Sequence, residues 1–124
     1  MQGLLVWLYI INASLLVVHE IESAYREEWK LFKLPGGVSF FLLLHIPLVA
    51  LILFGLVELQ QGTLAGYILS LVLALGGTFA FVIHTLFIKK GNRGFKTPLS
   101  LAILSVMLVI SLVQFALTVI SMRA

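Results

Sequence analysis

His19-Glu20-Ile21-Glu22-Ser23-Ala24-Tyr25-Arg26-Glu27-Glu28-Trp29 is the stretch on which the fold turns. The apolar run before it, residues 3–18, is too short to cross a bilayer, which takes about 20 residues at 1.5 Å rise each. No break signal follows until Pro35, so the helix is expected to continue through this polar stretch to about residue 33. Read in this way, the run becomes the first of four spans. The other three, 38–57, 64–88 and 98–122, reach spanning length unaided.

Composition agrees. Of 124 residues, 61% are hydrophobic and 10% are charged, whereas a soluble domain carries about 25% charged residues. The expected solvent is therefore lipid. No basic region precedes Leu4 and no small-residue cleavage site follows the first run, so that run is expected to stay as a helix and not to leave as a signal peptide. Asn12-Ala13-Ser14 has the form of a glycosylation sequon but lies inside the apolar run, out of reach of the modifying enzyme. The absence of cysteine excludes disulfides, thiolate metal sites and cysteine nucleophiles. The net charge of +3 is modest, and no nucleic-acid partner is expected. The fold class is all-α, an up-down-up-down four-helix membrane bundle. It forms one domain over residues 1–124, with helices at about 3–33, 38–59, 64–89 and 98–122.

The loops set the expected topology. Arg26, Lys30 and Lys33 follow the first span, and Lys89, Lys90, Arg93 and Lys96 follow the third, while residues 58–63 hold no cation. Lys and Arg concentrate on the cytoplasmic side. Both basic loops are therefore expected in the cytoplasm and both termini outside, in the cell (inner) membrane. Only Arg123 opposes the assignment, and Trp29 and Phe95 stand where interfacial aromatics belong. Pro35-Gly36-Gly37 and Gly91-Asn92-Arg93-Gly94 punctuate the chain, Pro98 suits a first helical turn, and Pro47 is expected to kink the second helix. Phe32-Lys33-Leu34-Pro35 and Phe95-Lys96-Thr97-Pro98 occupy matching places, a faint sign of hairpin duplication.

The candidate site lies in one polar layer. At 100° per residue, His19, Glu22, Ser23 and Arg26 share a face of the first helix, with Asn12 on the same stripe. Glu20 and Glu27 flank that stripe, and Glu28 points away from it. His19, His45 and His84 all fall roughly 7–14 Å below the cytoplasmic interface. Ionisable groups at such depth cost about 2.5–3.5 kcal/mol each, so they usually have a partner and a task. Three imidazoles and a carboxylate, without sulfur, suit a divalent metal, zinc or iron before others. His19, Glu22, His45 and His84 are the expected ligands, and His19 and Glu22 at i, i+3 can reach one ion. An open position would make a Lewis-acid centre that activates water, with Glu20 or Glu22 as base.

Plainer readings stand beside this one. Glu22 and Arg26 also form an i, i+4 pair, so Glu22 has two candidate partners. Glu27, Glu28 and Lys30 read as a solvated helix end. Two of the histidines could instead ligate a b-type haem, with Ser70, Gly77 and His84 as a stripe that admits a flat macrocycle; close helix packing, together with Gly66-xxx-Ser70 and Gly76-xxx-Ala80, is the preferred reading of the stripe. Ser100, Ser111, Gln114, Thr118 and Ser121 share one face of the fourth helix with Met107 and are expected to hydrogen-bond within the bundle or between protomers of a homo-oligomer.

From His19-Glu20-Ile21-Glu22-Ser23 through Glu28-Trp29, the sequence resembles small prokaryotic four-helix membrane proteins. They share an H-E-hydrophobic-acid-small start followed by Glu-Trp. It is also similar to the family named for its H-x-x-E-E motif, likewise four-helical and associated with metal binding, though Ser23 stands at that family's second glutamate. The resemblance implies roles for His19, Glu20, Glu22 and Glu28, and no reaction. The expected function is a membrane-embedded metal-binding protein, acting as an enzyme on a lipid or small substrate. A b-haem electron carrier and a non-catalytic membrane subunit are the alternatives.

Overall fold

A computed structural model describes residues 1–91 and 97–124. The chain forms α1 (Gln2–Tyr25), a 3-10 turn (Glu28–Lys30), α2 (Gly37–Gln60), α3 (Leu64–Lys89) and α4 (Pro98–Arg123), with no strand among the described residues. All four helices are long and apolar enough to cross a membrane. Arg93, Phe95 and Lys96, which entered the charge pattern and the hairpin comparison, lie outside the described residues.

Local chemistry sets the helix starts. Thr63 and Thr97 cap α3 and α4, their hydroxyls accepting the amide protons of Gly66 and Ser100 at 3.1 Å. Pro98 occupies the first turn of α4, where its missing N–H costs nothing. Gly36, at φ 92°, turns the chain into α2 in a left-handed conformation that suits glycine. α2 then runs through Pro47 without interruption to Gln60.

Side-chain contacts give the register directly. Tyr9 meets Ile52 and Glu20 meets His45, so α1 and α2 run antiparallel. Gln2 meets Tyr67 and His19 meets His84, so α1 and α3 run parallel. Asn12 meets Ser111 while Glu22 meets Ser100, which makes α4 antiparallel to α1. The helices therefore alternate up and down. The chain between α1 and α2 and the end of α3 share one end of the bundle, the basic end, and both termini lie at the other.

Small residues let the helices close. A Cβ on Gly66 would collide with the Leu59 backbone, and one on Gly77 would collide with the Ser111 hydroxyl. The apolar core is correspondingly thin: Leu5, Tyr9, Leu59 and Leu73 near the terminal end, and Ala80, Leu104 and Met107 toward the basic end. Only Gly55 and Leu59 of α2 are buried, so this helix offers most of its circumference to lipid.

The first helix departs from expectation. It stops at Tyr25, not near residue 33, and its 24 residues already span about 36 Å at 1.5 Å each. Glu27 then adopts a left-handed conformation at φ 53°. For a non-glycine residue that costs about 1–2 kcal/mol. In exchange the chain folds back and carries Glu28 and Trp29 into the protein. Both are buried, at 7% and 8% exposure. The solvated helix end expected for Glu28 is therefore overturned. Trp29 likewise packs inward on Phe41, ring centroids 5.5 Å apart, instead of lying free at an interface.

Candidate metal centre

Three elements supply the buried ionisable cluster. On α1, the buried positions Leu5, Tyr9, Asn12, His19 and Ser23 recur at intervals of three, four or seven, which aims His19 into the bundle. On α3, Ser70, Gly77 and His84 repeat every seventh residue and are buried together. Glu28 arrives on the 3-10 turn. His19, His84 and Glu28 each offer a ligand atom, and the three atoms lie within 4.8 Å of one another.

The geometry assigns a tautomer. The Nδ1 of His84 lies 2.7 Å from the Ala80 carbonyl, which can only accept, so Nδ1 carries a proton and donates it. Nε2 stands 2.9 Å from Glu28 Oε1. In a neutral ring this Nε2 holds a lone pair, and a lone pair facing a carboxylate requires a proton or a metal cation at that point. The His19 ring meets the His84 ring edge-on, centroids 4.5 Å apart and planes at 88°. Burial by itself pushes the Glu28 carboxyl up, but the adjacent His84 and Ser23 side chains and the charges of both histidines outweigh it. The net effect holds Glu28 below the ordinary glutamate value.

These groups fit a small divalent ion. Two imidazoles and one carboxylate, with the second nitrogen of His84 tied to a backbone carbonyl, are a donor set with its outer support already in place. Donors around a tetrahedral ion with bonds near 2.1 Å stand about 3.4 Å apart, so the cluster must draw in modestly to close on one.

The other residues singled out from sequence lie elsewhere. His45 donates from Nδ1 to the Phe41 carbonyl at 2.6 Å, and its Nε2 lies 2.6 Å from Glu20 Oε2. The two form a separate, partly exposed pair on the α1–α2 side. Glu22 accepts a hydrogen bond from Ser100 and stands 3.7 Å from Arg26, so it faces α4. The structure thus brings together His19 and His84, sets His45 and Glu22 outside their cluster, and adds Glu28. Helical periodicity assigned Glu28 to the wrong side because it assumed an unbroken helix. The Glu28-Trp29 resemblance was the signal that marked it.

The haem alternative meets a steric obstacle. A macrocycle between His19 and His84 would need a metal–nitrogen bond of about 2 Å on each side, which would move the rings well past their 4.5 Å separation. The stripe that would admit the macrocycle is filled by α4: Ser70 lies 2.9 Å from Thr118 Oγ1, and Gly77 abuts Ser111.

No curated protein and no solved structure matches the chain. A family model does, over residues 5–121, a range that reaches all four helices and includes all three clustered residues. The chain belongs to that family, a family of unknown function, DUF6713.

Proposed function

Taking that membership as the starting point, we propose that the chain is a membrane-embedded metal protein. Its centre is one divalent ion held by His19, His84 and Glu28 near the basic end, with a coordination position left for water or substrate. The observation that carries this reading is the Nε2 of His84. Its ring is fixed by Ala80 so that this nitrogen faces a buried carboxylate, with a second buried imidazole in contact. Two nitrogens and one oxygen without sulfur favour zinc or ferrous iron.

When bound, such an ion supplies Lewis acidity. Glu20, partnered by His45 on the α1–α2 side, lies outside this donor set. Glu22, engaged by Ser100 and Arg26, holds α1 against α4. Metal analysis of detergent-purified protein tests the centre. About one ion per chain is expected in the wild type and in His45→Ala, and only traces in His19→Ala, His84→Ala and Glu28→Gln. Equal trace metal in all five proteins refutes the centre and leaves a structural histidine–glutamate pair.

The basic end is proposed to face the cytoplasm, with both termini outside, in the cell membrane. A chain without cysteine makes this simple to test. Single cysteines at Leu34→Cys and Gln61→Cys are expected to react with a membrane-impermeant thiol reagent from the inside and the outside of the cell, respectively. The reverse pattern inverts the topology.

A further inference from the structure

Between α1, α2 and α3 lies a cavity of about 470 Å³, separate from the metal centre and lined almost wholly by apolar side chains. Phe41 and the Glu20–His45 pair border it toward the basic end, Leu16 and Leu48 line its middle, and Tyr9, Ile52 and Leu73 line it toward the terminal end. Phe41 to Ile52 is eleven helical steps, about 16 Å at 1.5 Å each. One leaflet of a bilayer's hydrocarbon is about 15 Å deep. The groove is therefore as long as a leaflet is thick. Part of its floor exists because of Gly76: a Cβ there would meet nothing within 4 Å, so the missing side chain is open volume and not helix contact.

The polar end defines what can lie in it. The proton on Nδ1 of His45 is committed to the Phe41 carbonyl, and Nε2 is committed to Glu20 Oε2. What remains for a ligand is carboxylate oxygen, an acceptor. A head group there must donate an O–H or N–H, and an ionised phosphate diester, which has no proton to donate, leaves that oxygen unsatisfied. We infer that the groove binds one acyl chain of a neutral lipid whose hydrogen-bond-donating head, such as a glycerol hydroxyl, sits on Glu20. This inference does not rest on the metal reading.

The test uses the full chain in detergent, incubated with monooleoylglycerol or with methyl oleate, which has the same chain and no donor. Native mass spectrometry counts the retained lipid. Monooleoylglycerol is expected to be retained about tenfold better, the scale of one hydrogen bond to a charged group. Glu20→Met, a change that a bilayer accepts more readily than the carboxylate, should remove the preference and leave weak, equal retention. Gly76→Leu should abolish retention of both lipids by filling the floor, and it leaves the metal content unchanged. Equal retention of the two lipids by the wild type overturns the inference, as does undiminished retention by Gly76→Leu. So does a dimer that Gly76→Leu converts to monomer, because the groove would then hold a helix of a second copy.

Discussion

Toward the termini, Asn12, Ser70, Ser111, Gln114 and Thr118 meet in a buried layer without a charge, whereas toward the basic end His19, His84 and Glu28 meet in one dominated by ionisable groups. The first layer largely satisfies itself. Asn12 Nδ2 donates to Ser111 at 3.1 Å and to Gln114 Oε1 at 2.9 Å, and Gln114 Nε2 donates to the Ser70 carbonyl and hydroxyl at 3.0 Å. Among the described residues, one acceptor in it, Asn12 Oδ1, lacks a hydrogen bond. Such a layer sets helix register and needs nothing further. The second layer brings a carboxylate and two imidazoles to one point, at a cost that amides and hydroxyls do not incur. Two polar layers in one bundle thus differ in kind: one joins α1, α3 and α4 through uncharged groups, and the other gathers three ionisable side chains at one point.

The widest separation of the two layers should come from metal addition. Zinc at about 100 times its dissociation constant stabilises a one-site protein by about 2.7 kcal/mol. That gain is expected in thermal unfolding of the wild type and of Gln114→Leu, and is expected to vanish in Glu28→Gln. An undiminished gain in Glu28→Gln would assign the zinc to another site.

Acid should sharpen the contrast in metal-free protein. Glu28 is held below the ordinary carboxylate value, so its charged form contributes stability above that value and loses it as pH falls through the lowered one. The stability difference between wild type and Glu28→Gln should therefore shrink on acidification below the ordinary glutamate range. Gln114→Leu, which leaves that carboxylate in place, should follow the wild type over the same pH window. A difference that stays constant down to the most acidic sample would count against an ionised Glu28.

The smallest effects belong to the uncharged layer. Hydrogen bonds between membrane helices average about 0.6 kcal/mol and reach about 1.7. Asn12→Leu and Gln114→Leu should each fall in that range. Because the two side chains bond each other, the double variant should cost less than the two single costs combined. Strict additivity in a double-mutant cycle would show that their contact carries no energy of its own.

Much of this architecture was legible in the residues. Lipid as solvent dictates helices, Pro98 marks one helix start, and counting turns places His19, His45 and His84 at a common depth. Depth along a helix follows from rise per residue, but direction around the axis depends on which neighbours a helix meets. His45 lies in the expected layer yet turns toward Glu20, while His84 turns toward Glu28. Glu28 itself was hidden because nothing local announces the reversal at Glu27. That residue has no β-branch, no ring and no glycine-like freedom, and its left-handed conformation is imposed by what lies beyond it, the burial of Glu28 and Trp29. Tertiary contacts overrode helix propensity there.

The Glu27 turn has a kinetic and thermodynamic corollary. Two of the three donors sit on rigid helices, but the third hangs from a backbone conformer that a free chain seldom visits. For the ion proposed above, apparent affinity at the cluster is then the intrinsic affinity multiplied by the fraction of molecules with this joint closed. Anything that opens or latches the joint from outside the membrane tunes occupancy without touching a ligand atom.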